Sequence, residues 1–215
     1  MLVVAAACSR APDPSRSPAS DASPVPPESA AASDVADAQE LVPNGEPLPP
    51  GRYTRTGFEP PITLELNGGW QAVQDASGFF DVQQRVGSPD VIAVQFANVL
   101  GVWGDGGTAT VADGHEDAAR ILGENPDLLV VESSESRIGG LTGSQVTVDT
   151  RGEQPASVLQ VAPGALQIDP ARRLWIAFFD TDAGMLAIMV GGSVAEWQAA
   201  LDAAEPVLES IEIGQ

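Results

Sequence analysis

The chain has 215 residues, a formal net charge of −20 and ten basic residues, all of them arginine. This acidity excludes nucleic-acid binding, which needs a basic surface to neutralise phosphates, and attachment to anionic lipid through a polybasic patch. The length allows one medium-sized domain or two small ones. No stretch approaches the ~20 apolar residues that a membrane-spanning helix needs.

The first eight residues point to export and lipid attachment. Leu2 to Ala7 are apolar or small, and they end at Cys8, the only cysteine. This pattern resembles a bacterial lipobox, in which a signal peptidase accepts the small residues and the cysteine thiol receives diacylglycerol. The apolar part is short and no positive residue precedes it, so we expect the complete export signal to begin upstream of Met1. We predict that residues 1–8 are a signal remnant, that Cys8 is the lipid anchor, and that the protein lies on the outer face of the cell membrane.

Residues 9–50 are predicted to form a disordered stalk. They are mostly alanine, proline and serine, and no aromatic residue occurs before Tyr53. Such a segment cannot bury enough apolar area to offset the entropy lost on ordering, and its prolines oppose a regular helix or strand ladder. Every tryptophan, phenylalanine and tyrosine falls in residues 51–215, which we therefore assign to a single domain.

Residues 51–215 alternate between short extended patterns and turn-forming residues. These patterns predict strands at 51–55, 62–66, 70–73, 79–84, 91–97, 128–131, 145–148, 174–179 and 185–190. A short helical pattern covers 116–123, and residues 180–184 have the composition of a hairpin turn. Many strands with a middle helix and a closing helix predict an α+β fold, with a largely antiparallel sheet on which the C-terminal helix packs.

The closing helix has a clear start signal. Ser193 and Glu196 have the spacing of a capping box, which predicts a helix beginning at Ser193. Pro206 is predicted to bend or interrupt this helix. One helix face is predicted to carry Val194, Trp197, Leu201 and Ala204.

Short segments along the domain resemble a known group of proteins. The segments are Gly51-Arg-Tyr-Thr, Phe58-Glu-Pro-Pro-Ile-Thr-Leu-Glu-Leu-x-x-Gly-Trp70, Asn125-Pro-Asp-Leu, Gly139-Gly-Leu-Thr-Gly143 and Val207-Leu-Glu-Ser-Ile211. They resemble uncharacterised exported lipoproteins of high-GC bacteria, and the chain's ending resembles the PsbP-like fold. The resemblance covers most of residues 51–213. It implies an antiparallel sheet with helices on its faces and an accessory or binding role at membranes, and it carries over no active-site residue.

His115 is the only histidine, and it would have to be the base of any Ser–His–Asp arrangement. No Gly-x-Ser-x-Gly nucleophile elbow occurs, because neither Ser144 nor Ser193 has the second glycine at the required spacing. We interpret residues 113–117 as a solvated helix start, in which Asp113 caps the helix. The sequence therefore predicts no catalytic residue here.

Two acidic groups could offer oxygen atoms to Ca²⁺, but neither has the spacing of the Asp-x-Asp-x-Asp-Gly loop. We therefore predict no metal site. The groups are Asp105 with Asp113, Glu116 and Asp117, and Asp180 with Asp182. The segment from Gly139 to Gly143 lacks the helix and the Gly-Lys-Ser/Thr of a phosphate loop, so we interpret it as a turn or bulge.

The composition favours a surface-anchored, non-enzymatic binding or accessory module without a cofactor. Its expected partners are the membrane, through the lipid, and an unknown protein or small-molecule ligand. A secreted hydrolase with paired carboxylates remains open, because such pairs perform acid–base chemistry without histidine. A carrier of an apolar ligand also remains open, and it would need an apolar cavity. The aromatic residues that could line a cavity, although we predict them to pack in the core, are Phe79, Phe80, Trp103 and Trp175.

Overall fold

The computed structural model describes residues 37–214, and its largest sheet contains seven antiparallel strands. Within these residues there are also two helices and two four-stranded sheets. This mostly antiparallel arrangement confirms the predicted α+β class. The elements in chain order are β1 (Gln39–Glu40), β2 (Gly51–Arg55), β3 (Ile62–Leu66), β4 (Gln71–Ala76), β5 (Phe79–Gln84), β6 (Ile92–Asn98), β7 (Gly101–Trp103), β8 (Ala109–Thr110), α1 (His115–Gly123), β9 (Leu128–Ile138), β10 (Leu141–Thr150), β11 (Ala156–Val161), β12 (Gly164–Ile168), β13 (Arg172–Thr181), β14 (Gly184–Ser193), α2 (Trp197–Glu209) and β15 (Glu212–Ile213).

The central sheet has the strand order β4-β5-β6-β14-β13-β10-β9. β13 and β14 pair along their whole length, from Arg172 opposite Ser193 to Thr181 opposite Gly184. The middle of both strands is buried, because other layers cover both faces of the sheet. A strand covered on both faces has a nearly continuous apolar sequence, which makes residues 185–190 recognisable without the structure.

Each face of the central sheet has its own apolar core. One core lies under α2 and the sheet β1-β2-β3-β15, and it contains Phe80 and Phe96, whose rings stack with centroids 4.4 Å apart. The other core lies under α1 and the sheet β12-β11-β7-β8. Successive residues of a strand point to opposite faces, so the neighbours Phe178 and Phe179 belong to different cores.

The ordered domain begins before residue 51, which corrects the predicted C-terminal end of the stalk. β1 pairs in parallel with β2, Leu41 is 2% exposed, and Pro47 forms an isolated bridge with Gln71. Leu41 and Leu48 pack in the core under α2, and this apolar burial offsets the entropy cost of ordering the segment. The rest of the predicted stalk, residues 9–36, and the predicted anchor Cys8 lie outside the described residues.

The last helix begins at Trp197, so the predicted capping box at Ser193 is wrong. Ser193 is the final residue of β14, and the N–H of Val194 donates a hydrogen bond to the carbonyl of Ala171 at 2.9 Å. Backbone groups that already pair in a sheet cannot form the first turn of a helix. The N-cap residue is Glu196, which makes no side-chain capping bond.

The apolar face of α2 differs in part from the predicted face. Val194 precedes the helix and is 39% exposed. Pro206 lies within the helix without interrupting it, and it faces solvent, where the missing N–H disturbs no core contact. The buried residues of α2 are Ala200, Ala204 and Val207.

Within residues 37–214, neither helix has the length and apolar character to cross a membrane.

The sheet β12-β11-β7-β8 occupies segments where the sequence predicts no strand. Glycines interrupt the segment around β7 and β8, and the loop between β11 and β12 ends at Gly164. The β11–β12 register also shifts between Ser157 and Leu159. A shift of one residue breaks the period-two alternation that identifies strands in a sequence.

β9 and β10 form a hairpin of 11 and 10 residues, longer than the predicted strands. β9 is an edge strand: in the part of the chain that the structure describes, no strand pairs with its outer side. The second half of β9 contains serine and glutamate, because an exposed edge does not need apolar side chains. Its exposed apolar residues are Leu129, Val130 and Val131.

Candidate functional site

A cleft of about 670 Å³ opens beside the turn between β13 and β14. This volume falls within the ~300–1,000 Å³ that is typical of small-molecule sites. The loop before β3, the start of β10, the β13–β14 turn and the end of β15 build it together. The residues that line this hairpin cleft are Glu59 to Pro61, Leu141, Asp180 to Ala183, Ile213 and Gly214.

The end of the described chain holds one wall of the hairpin cleft in place. β15 pairs with β3, and the N–H of Gly214 donates to the carbonyl of Pro61 at 2.8 Å. Gly139, in the turn between β9 and β10, packs against Ile213. A Cβ atom on Gly139 would lie 2.8 Å from Cγ1 of Ile213, and φ is +57°, so both space and backbone conformation require glycine. Pro61 and Ile213 therefore form a fixed apolar wall.

Hydrogen bonds also fix the β13–β14 turn. The hydroxyl of Thr181 donates to the carbonyl of Gly184 at 2.7 Å and accepts from the N–H of Ala183 at 3.2 Å. The hairpin predicted at residues 180–184 is present in the structure. Asp182 and Ala183 lie at its exposed tip, so they face the cleft from a rigid turn.

The hairpin cleft is lined by acidic side chains and by no basic one: its carboxylates are those of Glu59, Asp180 and Asp182. Within residues 37–214, neither Glu59 nor Asp182 has an arginine at ion-pair distance. Asp149, by contrast, pairs with Nη2 of Arg173 at 2.7 Å. Within the described residues, no arginine therefore neutralises the charge of Glu59 or Asp182.

Asp180 also contacts the first turn of α1. The N-cap residue is Gly114, which has no side chain to cap the helix. Instead, Oδ2 of Asp180 accepts a hydrogen bond from the N–H of His115 at 3.3 Å, where a negative charge is favourable. The predicted capping by Asp113 is wrong, because the N-cap residue is Gly114. The N–H of Asp113 donates to Oδ2 of Asp117 at 3.0 Å.

The structure brings His115 next to Ser144, a contact that no sequence motif indicates. Nδ1 of His115 and Oγ of Ser144 are hydrogen-bonded at 2.9 Å, and Nε2 lies 4.0 Å from Oδ2 of Asp180. These are the residue types of a nucleophile, a base and an orienting carboxylate. The carboxylate is beyond hydrogen-bond distance of the ring, and Asp180 lines the hairpin cleft while Ser144 and His115 do not. The contacts attach the start of α1 to β10 and β13.

The remaining candidate ligands do not converge. Within residues 37–214, no group of three or more metal-binding side chains comes together. Asp117 accepts the hydrogen bond from Asp113 and pairs with Arg120, and these interactions lower the pKa of the Asp117 carboxyl.

The predicted turn in the segment from Gly139 to Gly143 is formed by its first two residues. Gly139 and Gly140, with φ of +57° and +82°, form the two-residue turn between β9 and β10.

The aromatic candidates do not line the hairpin cleft. Phe79 and Phe80 are buried in opposite cores, and Trp175 is half-buried beside the core under α2. Trp103 is half-buried in β7, and its indole N–H is buried without a hydrogen-bond partner among the described residues. Phe79, Phe80 and Trp175 thus pack in or against a core, as predicted for aromatics in strands.

Sequence reasoning missed Glu59, Leu141 and Ile213 as cleft residues. Each comes from a different segment of the chain, and none belongs to a motif that indicates a binding site. The one local signal was Asp180 with Asp182 in a hairpin turn, and it identified only the rim of the cleft.

No protein-family model matches the chain, and no curated protein matches its sequence. Among solved structures, the chain is similar to the solution structure of cyanobacterial PsbP from Synechocystis, with 11% identity, 76% of this chain and 91% of that chain covered, and a TM-score of 0.43. It is also similar to the crystal structure of LpqN, involved in cell envelope biogenesis of Mycobacterium tuberculosis, with 11% identity, coverage of 79% and 90%, and a TM-score of 0.40. These likenesses concern the fold, and neither a lipid anchor nor a ligand follows from them.

Proposed function

We propose that the protein is a non-enzymatic binding or accessory module, exported and held at the outer face of the cell membrane by a lipid on Cys8. Its ligand site is the hairpin cleft. The observation that carries this proposal is one cleft of about 670 Å³ with an apolar wall and three carboxylates on its surface. Binding sites for small molecules combine apolar walls with a few placed polar groups in this way.

The rigidity of the cleft supports binding. Pro61 and Ile213 are tied together by the pairing of β15 with β3, and Thr181 holds the opposite turn through two hydrogen bonds. A preformed site loses little conformational entropy when a ligand enters. The cleft is therefore ready to bind without a rearrangement of the sheet.

Blocking the cleft tests its role. Ala183→Trp places a large side chain at the exposed tip of the β13–β14 turn, inside the cleft lining. Ala162→Trp is the matched control, because Ala162 is an exposed alanine in the β11–β12 turn and lies outside that lining. We expect native mass spectrometry of the exported full chain to show co-purifying small molecules in wild type and in Ala162→Trp, and their loss in Ala183→Trp. Equal ligand retention by both variants would exclude the cleft.

The anchor is tested separately. With a complete export signal in front of the chain, wild type should enter the detergent phase in phase separation, and Cys8→Ser should enter the aqueous phase. Unchanged partition of Cys8→Ser would exclude lipidation of this cysteine.

A hydrolase that uses paired carboxylates is the second candidate, because Glu59, Asp180 and Asp182 line the same cleft. Carboxylates in one cleft can serve as general acid and base. A hydrolytic activity that Asp182→Asn abolishes, while binding persists, would favour this function over the binding module. Activity lost in His115→Ala but retained in Asp182→Asn would instead identify the contact between His115 and Ser144 as catalytic.

A further inference from the structure

The charges around the hairpin cleft indicate what kind of molecule it selects. We infer that the cleft binds a small amphiphile with a cationic head, such as an amine or quaternary ammonium group on a hydrocarbon chain. This inference rests on the proposed binding function and specifies its ligand.

The cationic head follows from the uncompensated carboxylates. Glu59 and Asp182 line the cleft, and within residues 37–214 no arginine lies at ion-pair distance of either. The side chain of Asp180 is 55% exposed, and it accepts a hydrogen bond from the N–H of His115 at the start of α1. A cation placed among these groups gains Coulomb energy that no arginine of the described residues already supplies, whereas an anion is repelled by each of them.

The hydrocarbon part follows from the opposite wall. Pro61, Leu141 and Ile213 present apolar surface to the cleft, and Leu141 and Ile213 also pack against the core under α2. Covering this surface with a hydrocarbon chain removes it from water. The volume of about 670 Å³ suits a small molecule, so we assign the site to a small amphiphile.

The overall charge of the protein assists the same selection. With a net charge of −20, the protein attracts cations and repels anions over distances of about a Debye length. This general attraction must be separated from recognition in the cleft. Asp105 provides the comparison, because it is exposed and does not line the cleft.

Isothermal titration calorimetry of the full chain with three probes of equal chain length tests the inference. The probes are octyltrimethylammonium, octanoate and 1-octanol, each below its aggregation concentration. We expect octyltrimethylammonium to bind and octanoate to bind at least ~10-fold more weakly. Asp182→Asn should weaken binding of the cation about fivefold, Asp105→Asn should leave it unchanged, and Ala183→Trp should abolish it.

The outcomes separate this inference from the proposed function. If 1-octanol or octanoate binds as tightly as the cation, and Ala183→Trp still abolishes binding, the cleft is a binding site but the cationic class is wrong. Equal weakening by Asp182→Asn and Asp105→Asn would reduce the preference to net charge and overturn the inference. If Ala183→Trp binds the probe as wild type does, or no probe binds at all, the inference fails, and the mass-spectrometric comparison of Ala183→Trp with Ala162→Trp then decides the proposed function.

Discussion

Asn125 joins three segments around the core under α1, and its replacement by alanine tests whether one polar side chain organises them. The side chain is nearly buried, with 6% of the residue exposed. Its Nδ2 donates to the carbonyls of Trp103 and Ser157 at 3.0 and 2.9 Å. Its Oδ1 accepts from the N–H of Asp127 at 3.0 Å. The bonds link the end of β7, β11 and the turn between α1 and β9.

The expected loss follows from these three contacts. A hydrogen bond contributes about 1 kcal/mol net to the free energy of unfolding, and a buried polar group left without a partner costs more than that. Asn125→Ala should therefore lower the free energy of unfolding by about 3 kcal/mol or more. Asn125→Asp keeps the shape and the acceptor for Asp127, but it places a carboxylate oxygen against two carbonyl oxygens. It should be strongly destabilised at neutral pH and should recover in part toward about pH 4, where the carboxyl gains a proton that it can donate.

Urea unfolding followed by tryptophan fluorescence measures both variants. Asn44→Ala is the matched control, since Asn44 is exposed and its Oδ1 accepts one hydrogen bond, from the N–H of Glu46 at 2.9 Å; its loss should stay below about 1 kcal/mol. A loss for Asn125→Ala no larger than that of the control would refute the linking role. So would an Asn125→Asp variant that is as stable as wild type at neutral pH.

Three further perturbations probe other parts of the fold. A Cβ on Gly143 would lie 2.0 Å from the carbonyl oxygen of Phe178, so Gly143→Ala should lower the free energy of unfolding in urea by about 3 kcal/mol or more. In the control Gly68→Ala, the new Cβ meets one atom at 3.8 Å, and the loss should be about 1 kcal/mol or less. Equal losses in the two variants would contradict this prediction. Burial raises the pKa of the Asp81 carboxyl, so at intermediate pH the folded protein keeps a proton that the unfolded chain releases. The free energy of unfolding therefore falls as the pH rises, and in Asp81→Asn this fall should be shallower between about pH 4 and pH 7. An unchanged slope of stability against pH would refute the prediction. Trp197 is half-buried, and Cζ of Arg173 lies 5.8 Å from the centroid of its ring. Trp197→Ala should therefore lower the free energy of unfolding by about 2 kcal/mol, less than the ~3–5 kcal/mol of a fully buried aromatic residue. A loss in that higher range would contradict this prediction.

The sequence predicts those strands in which burial on one or both faces of a sheet gives a simple pattern of apolar residues. In Ile62 to Leu66, buried residues alternate with half-buried or exposed ones, and Leu186 to Val190 is buried on both faces. Where tertiary pairing overrides a local signal, prediction failed. Ser193 and Glu196 have a capping-box spacing, but the backbone at Ser193 completes β14 against β13.

The start of the domain was misplaced for a related reason. The composition of residues 39–50 suggests disorder, and two leucines in this segment are enough to attach it to the core. The average composition of a segment does not reveal one or two apolar residues that pack against a core. The cleft escaped prediction because Glu59, Leu141 and Ile213 come from separate segments, and only the pairing of β15 with β3 brings the first and last of them together.

The edge strand β9 has a consequence for behaviour in concentrated solution. Leu129, Val130 and Val131 are exposed in succession on a strand whose outer side, within residues 37–214, pairs with no other strand, and such an edge is a template for pairing with another copy. Glu132 and Glu135 follow on the same strand, and at neutral pH the net charge of −20 keeps copies apart. As the pH falls toward the isoelectric point of about 4.1, this repulsion disappears, and light scattering should then detect reversible association that begins at β9.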